Sequence, residues 1–296
     1  MGREAHHGLG APRLAGHVSW HGHLQLRYTR DGERTVALDR HDGPLRVLQR
    51  LYPEGPGICH HVLVHPPGGV VGGDVLEVDA TLESGTHALI TTPGATRFYR
   101  SSGALAVQQA TLRVHAGARL EWLPLEAIAY RGTQAENRVR LELAPGAETM
   151  GWDLLALGLP AANESFESDL SGAFTQQIEL PGVWLERGRV RADDTLLLDS
   201  PLGFAGRRVL ATMWFAAGAA MTDARRQVLL DAARAAVAAV DASLHAGATS
   251  AHAQAVVLRV LAPRVEPAMR LLLGVREAWR REAWQLDANA PRVWAT

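Results

Sequence analysis

Apolar and polar residues alternate along the middle of the chain with the period of two that is typical of half-buried β-strands. Within 109–115, for example, Ala110, Leu112 and Val114 fall on one side of a strand and the intervening polar residues on the other. The same alternation continues through 138–143. Strands are predicted at 58–65, 75–82, 87–92, 109–115 and 138–143.

A short turn recurs where three of these strands end. An apolar residue is followed by two residues, a glycine and then a small residue, and the glycines are Gly85, Gly117 and Gly146, spaced by 32 and 29 positions. A turn with a nearly fixed period favours stacked β-coils or regularly paired layers. The alternative is that glycine is simply the common turn residue.

The last third of the chain has a different pattern. Strand-like pieces continue over 174–209, and then apolar residues recur at helical spacing over 222–246 and 267–287, with one more strand at 255–261 between them. Thr222 is placed to cap the first of these helices. No linker-like run separates the parts, so one β-rich domain with two late helices is expected over 18–296, after a disordered segment at 1–17.

Two loops are rich in glycine and proline. Residues 65–74 read His-Pro-Pro-Gly-Gly-Val-Val-Gly-Gly-Asp, and residues 91–101 read Thr-Thr-Pro-Gly-Ala-Thr-Arg-Phe-Tyr-Arg-Ser. The first loop leads into a strand and not into a helix, which disfavours a nucleotide phosphate site. The main interpretation is a tight corner between strands with Asp74 capping the turn; the alternative is a loop that lines a channel or a partner surface.

Composition excludes several classes of function. The 296 residues carry a net charge of −1, so a nucleic-acid binder is disfavoured, and all 30 cationic residues are Arg, which rules out a phosphate loop ending in Gly-Lys. The single Cys59 cannot form an intrachain disulfide and favours a reducing cytoplasm. The longest apolar stretch, 213–221, is too short to span a membrane, and no signal peptide is visible.

Metal ligands are one candidate chemistry. Cys59, His61 and His65 alternate along one strand and would share a face, where imidazole and thiolate suit Ni²⁺, Cu²⁺ or Zn²⁺, although buried His and Cys on a strand are more often structural. The early histidines, at positions 6, 7, 17, 21 and 23, are interpreted as loose N-terminal residues. The other candidates are carboxylates that could belong to a network, to the surface or to a glycosidase pair: Glu121, Glu126, Asp153, Glu164 and Glu186.

The chain resembles the UreD/UreH family of urease accessory proteins. The resemblance rests on both loops above and on five further segments: Cys59-His60, Leu120 to Pro124, Trp152-Asp153, Glu186-Arg187 and Pro291 to Trp294. It departs from the family pattern at Leu125, at 131–133 and within 157–164, so the central segment is the least typical part.

The resemblance implies a mainly β, solenoid-like fold with two helices and no enzymatic activity. Such proteins bind apo-urease and, with a UreF-type protein and a UreG-type GTPase, load nickel into urease, with no tightly bound cofactor and with an internal tunnel as the route of transient Ni²⁺. On that basis Asp74 and Glu186 are the leading candidates for a nickel route. Weaker candidates are His65, Glu126, Asp153 and Glu164, and then Cys59 and His61.

Two other functional classes remain open at this point. A β-solenoid hydrolase acting on polysaccharide would use a carboxylate pair, but an aromatic-rich groove and a secretion signal are not visible. A stand-alone metal-storage protein would bind nickel tightly by itself. Weak nickel binding by the isolated chain is the expectation that separates a delivery scaffold from storage.

Overall fold

The computed structural model describes residues 19–159, 162, 164–240 and 242–295. The segment 1–17, for which disorder is expected, lies outside the described residues. The strands in the described part are β1 (His21–Asp31), β2 (Arg34–Asp42), β3 (Arg46–Leu51), β4 (Ile58–Val64), β5 (Val75–Leu82), β6 (His87–Thr91), β7 (Thr96–Phe98), β8 (Ala106–Val114), β9 (Arg119–Leu123), β10 (Ala127–Ala129), β11 (Gln134–Leu143), β12 (Glu148–Leu157), β13 (Ala173–Leu180), β14 (Trp184–Arg191), β15 (Val209–Ala217), β16 (His245–His252) and β17 (Ala255–Ala262). The helices there are α1 (Thr195–Asp199), α2 (Asp223–Ala238) and α3 (Val265–Trp279), with a π-helical turn at Arg280–Trp284 and 3₁₀ turns at Phe166–Ser168 and Arg292–Ala295.

The strands form two sheets that face each other. Sheet A has the order β14-β13-β11-β8-β5-β1-β2, and sheet B has the order β16-β17-β15-β12-β9-β6-β4-β3 with β10 and β7 attached beside β12. From β4 to β13 the chain passes back and forth between the sheets, and the strands that neighbour each other within a sheet over this stretch are parallel. This winding is solenoid-like, and it confirms the predicted mainly β fold class.

The recurring glycine turn is structural. Gly85, Gly117 and Gly146 all have positive φ, between +71° and +83°, which a residue with a Cβ adopts only at a cost. The turns lie on one another, because the amide of Gly117 donates to the carbonyl of Gly146 at 3.0 Å. The period in the sequence is therefore the repeat of the coils.

The alternation of apolar and polar residues matches the two faces of sheet A. Ala110 and Leu112 are buried between the sheets, whereas Arg113 points outward and pairs with Asp79 at 2.7 Å. The strands predicted at 58–65, 75–82, 87–92, 109–115 and 138–143 are confirmed as β4, β5, β6, β8 and β11, with ends that shift by a few residues.

The interpretation of His21 and His23 as loose N-terminal residues is wrong. Both lie on β1, which pairs with β2 and, in parallel, with β5. The ring of His21 lies 2.8 Å from Glu77, and that of His23 lies 2.8 Å from Asp79. The pairing was missed because the short-range pattern around these residues carries no information about a partner more than 50 positions away.

The two late helices cover the outer face of sheet B and form a second core with it. Thr222 caps α2 as predicted, accepting a hydrogen bond from the amide of Arg225, and the indole of Trp279 on α3 donates to the carbonyl of Leu229 at 2.9 Å. The predicted spans 222–246 and 267–287 are too long at their C-terminal ends. The first helix ends at Ala238 because His245–His252 pairs with β17, and the second passes into a π-helical turn that Gln285 ends at φ +56°.

Candidate functional site

The two glycine- and proline-rich loops lie against each other. The amide of Val70 donates to the carbonyl of Arg97 at 2.7 Å, and the amide of Tyr99 donates to the carbonyl of Val70 at 2.9 Å. A Cβ atom on Gly69 would overlap the ring of Tyr99, so this close approach requires glycine. The loops that stand out in the sequence thus form one unit.

Asp74 holds the corner of the first loop. Its Oδ2 accepts from the amide of Val71 at 3.0 Å and its Oδ1 accepts from the amide of Trp20 at 2.8 Å, while the residue is 1% exposed. The predicted capped turn is confirmed. Both carboxylate oxygens are engaged by backbone donors, which makes Asp74 a residue that fixes the loop beside the interior.

Both loops line a cavity of about 270 Å³ between the sheets, the first cavity. Gly68 and Gly69 come from the first loop and residues 92–97 from the second. Much of the remaining wall is apolar. Four polar side chains from the two sheets and the end of β4 contribute to it: those of His65, Gln108, Asn137 and Asp153. The unit formed by the loops is therefore the wall of an internal space.

A row of amide side chains crosses the inner face of sheet A. Gln108, Asn137 and Gln176 occupy matching positions on β8, β11 and β13. Gln108 donates to Asn137 at 3.2 Å, and Asn137 donates in turn to Oδ1 of Asp153 on sheet B at 3.1 Å. These polar groups form a continuous line through an otherwise apolar interior.

A second cavity of about 700 Å³ lies beyond this row, and Asp153 lines it as well as the first. Thr212 and Arg259 follow Asp153 in register across sheet B, on β15 and β17, and both line the second cavity. Glu186 on β14 also lines it and accepts two hydrogen bonds from Arg259, at 2.6 and 2.5 Å. Asp153 is thus the carboxylate common to the two cavities, and Glu186 is held by a guanidinium.

Asp153 and His65 carry unusual electrostatics. Burial raises the pKa of Asp153 to about 6, although the neighbouring side chains of Gln176 and Asn137 lower it in part. Its Oδ2 is buried and has no hydrogen-bond partner within the described residues. Burial also lowers the pKa of His65, against the opposing charge of Asp74, and both of its ring nitrogens are buried without a partner there. His65 and Asp153 therefore border the first cavity with buried polar atoms that the described residues leave without a hydrogen bond.

The remaining sequence candidates lie elsewhere. Cys59 and His61 are fully buried, with the hydroxyl of Tyr28 2.8 Å from Nδ1 of His61. Burial raises the pKa of the Cys59 thiol to about 11 and lowers that of His61 to about 4, so both are neutral near pH 7. Glu126 and Glu164 are half-buried. Within the described part of the chain, none of these four lines either cavity.

Glu121 belongs to a buried ion network. It pairs with Arg276 and with Arg280, both at 2.7 Å, and Arg280 also pairs with Glu54. Burial raises the pKa of Glu121, but the attraction of the two guanidinium groups and the hydrogen bond to His87 outweigh it and hold that pKa well below its ordinary range. A carboxylate held in this way anchors a helix and does not serve as a general acid.

The sequence reasoning missed several residues of the interior. A signal was present, because Gln108 and Asn137 occupy the inward phase of strands whose other inward residues are Ala, Val and Leu. Arg259 likewise interrupts an apolar strand. A polar residue in the buried phase of an alternating strand indicates an internal polar site more directly than a search for charged motifs does.

The cavities hold scattered ligands and no closed metal cage. Among the described residues, no group of three or more His, Cys, Asp and Glu side chains is placed to hold a metal ion. The same residues include no helix with the length and apolar character needed to cross a bilayer. An imidazole, a carboxylate and amide oxygens in a row offer a cation weak, replaceable ligands.

Comparison with known proteins gives one consistent result. The family model described as "UreD urease accessory protein" matches residues 21–295. A protein named urease accessory protein UreD from Leptothrix cholodnii is 62% identical over 281 residues, covering 94% of this chain and 100% of that protein. Proteins of the same name from Variovorax paradoxus and Paracidovorax citrulli are 60% and 58% identical, with the same coverage.

Proposed function

Because this chain belongs to the UreD family of urease accessory proteins, we propose that it is a cytoplasmic scaffold that delivers nickel to apo-urease and catalyses no reaction itself. Its partners in this proposal are a UreF-type protein, a UreG-type GTPase and the urease subunits. Nickel is cargo that passes through the protein, and no tightly bound cofactor is required.

The single observation that carries the nickel route is the shared position of Asp153. This carboxylate lines both cavities, has one buried oxygen without a partner among the described residues and accepts a hydrogen bond from the amide row of sheet A. A dication that enters a protein interior needs oxygen or nitrogen groups to replace its lost water ligands. The proposed route runs past His65 and Asp153 toward Glu186, with Asp74 holding the loop at its side.

Weak ligands suit transfer better than storage. An ion that moves along a path must bind well enough to enter each stop and loosely enough to leave it. The polar groups of the two cavities are spread along the interior, and Glu186 already has a cationic partner in Arg259. A nickel ion would therefore compete with a guanidinium for the Glu186 carboxylate, and this competition lowers the affinity of Glu186 for nickel.

Co-expression of the tagged chain with the urease operon of its host tests the proposal. Recovery of apo-urease with UreF- and UreG-type proteins is expected, as is nickel-poor, inactive urease when the chain is omitted. Fully nickel-charged urease in its absence would overturn the proposal. For the isolated chain, calorimetric titration is expected to give Ni²⁺ binding no tighter than micromolar; stoichiometric nanomolar binding would support storage instead.

A further inference from the structure

Strand β14 ends sheet A. It is paired with β13 on one side only, in antiparallel register from Ala173–Arg191 to Leu180–Trp184, and it is the terminal strand in the sheet order. An edge strand of eight residues presents unpaired backbone N–H and C=O groups along its outer side. Such an edge can accept an extended segment of another protein as an additional strand.

The ion pairs that the described residues form on the outer face of sheet A do not include two arginines of β14. On the outer face of sheet A, Arg113 pairs with Asp79 and Glu142, and Arg140 pairs with Glu142 and Glu179. This ladder of ion pairs stops at the edge. Arg187 and Arg189 of β14 are exposed, and no carboxylate of the described residues lies within ion-pair distance of either.

Apolar surface accompanies these arginines. Leu185, at the start of the same strand, is 59% exposed, and Leu202 is fully exposed. Leu202 and Arg189 line the second cavity together with Glu186. The edge therefore combines backbone hydrogen-bonding groups, two positive charges without an ion pair in the described part of the chain, and exposed leucines beside the second cavity.

We propose that the outer edge of β14 binds an extended, acidic segment of a partner protein by strand addition. Backbone hydrogen bonds give the register, and Glu or Asp side chains at alternate positions pair with Arg187 and Arg189. The bound segment lies beside Glu186, on the wall of the second cavity. This inference does not depend on the proposed nickel route.

A competing explanation is that the arginines only protect the edge. Charged residues on edge strands keep copies of a protein from pairing with one another. Protection requires a charge but not a particular sign, so Glu at both positions would serve as well as Arg. Recognition of an acidic segment requires the positive sign, and reversing the charges separates the two explanations.

A labelled peptide, acetyl-Thr-Glu-Val-Glu-Thr-Glu-Val-Glu-amide, is a suitable probe, with its Lys-for-Glu counterpart as reference. Fluorescence anisotropy with the full chain is expected to show saturable binding of the Glu peptide at low salt that weakens as salt is added. The double variant Arg187→Glu/Arg189→Glu is expected to bind the Glu peptide at least tenfold more weakly and to bind the Lys peptide instead. Arg234→Glu, which changes an exposed arginine on α2, is the matched control and should leave binding unchanged.

Three results would overturn the inference. The first is equal binding of the Glu and Lys peptides, and the second is undiminished binding of the Glu peptide to the double variant. The third is a concentration-dependent dimer in sedimentation that the double variant does not form, because that result would assign the edge to a second copy of this chain. Slower hydrogen exchange of amides 184–191 when the Glu peptide is bound is the supporting structural readout. If the Glu peptide does not bind as expected while urease activation still requires the chain, the strand-addition inference is wrong and the proposed function is unaffected.

Discussion

Asp153 is the residue on which the account of the interior rests. It is 3% exposed, it lines both cavities, and it keeps one carboxylate oxygen without a partner among the described residues. Removing a carboxylate from water favours its neutral form, which is the direction of its pKa shift. The same group therefore controls both the charge of the interior and part of the pH dependence of stability.

Stability should fall, through Asp153, as the pH rises from about 4 to about 7. The pKa of this group is about 6 in the folded protein and 3.8 ordinarily, so the folded state binds the proton more tightly and loses that advantage as the carboxyl ionises. The contribution is about 3 kcal/mol. Urea unfolding across this range should show Asp153→Asn gaining stability relative to wild type by roughly that amount. Asp287→Asn, which changes an exposed carboxylate, is the matched control. A constant difference for Asp153→Asn would contradict the argument.

For single residues, the sequence predicted roles that depend on local structure better than roles that depend on tertiary contacts. Local turn chemistry was enough to predict that Asp74 caps a loop. In the structure its carboxylate accepts hydrogen bonds from the backbone amides of Val71 and Trp20. The amide row of Gln108, Asn137 and Gln176 depends on which strands are neighbours in a sheet. That neighbour relation is tertiary, so single positions could not show that these side chains form a line.

Helix α3 is fastened to sheet B by charge as well as by apolar packing. Arg276 and Arg280 reach from the helix and its π-helical continuation to the buried carboxylate of Glu121 on β9. Their attraction, stronger than the effect of burial, holds the pKa of Glu121 low. The stabilisation is therefore present above pH 4.5, the ordinary value, and is lost as the pH falls below it.

Glu121→Gln should destabilise the protein by about 3–5 kcal/mol at pH 7, because it leaves buried guanidinium groups without their counter-charge. The free energy of unfolding from urea titration is the measurement. Glu277→Gln changes an exposed carboxylate on the same helix and should cost less than about 0.5 kcal/mol. Equal losses for the two variants would show that the network is not what fastens the helix.

The stacked turns make a separate prediction about the coils. Gly117 has φ +71° with room for a side chain, since the nearest atom to a Cβ there is 3.8 Å away. Gly117→Ala should therefore cost about 1–2 kcal/mol from backbone strain alone. Gly247 also has room but lacks the positive φ, so Gly247→Ala should leave the free energy of unfolding nearly unchanged. Thermal unfolding of both variants is the measurement. A neutral Gly117→Ala would argue against the strained, repeated turn.

Elements were predictable where local pattern and tertiary role agree. The alternating strands and the Thr222 cap are of this kind. Helix α1 was missed because its five residues carry no periodic pattern. Strand β16 was assigned in part to the preceding helix because its Ala- and Gly-rich sequence has little strand character, and pairing with β17 decides its conformation.

Over the whole molecule, the two sheets enclose an apolar core crossed by a row of polar side chains, and sheet B carries the two late helices on its other side. The resemblance recognised in the sequence is confirmed by the family match over residues 21–295. A single domain over 18–296 and the nickel route remain predictions. The fold class and the family could be predicted from the order of the motifs and the period of the turns. The path of polar side chains between the sheets could not, because it depends on which strands are neighbours and which face each other.

The nickel content of urease matured in the presence of Asp153 variants tests the central claim most directly. Urease co-expressed with Asp153→Leu, which keeps the side chain's approximate size without its oxygens, is expected to carry at least tenfold less nickel per active site than with wild type, while the same accessory complex is recovered. The exposed Asp287→Asn variant should load urease fully. Full nickel loading with Asp153→Leu in an intact complex would contradict the account.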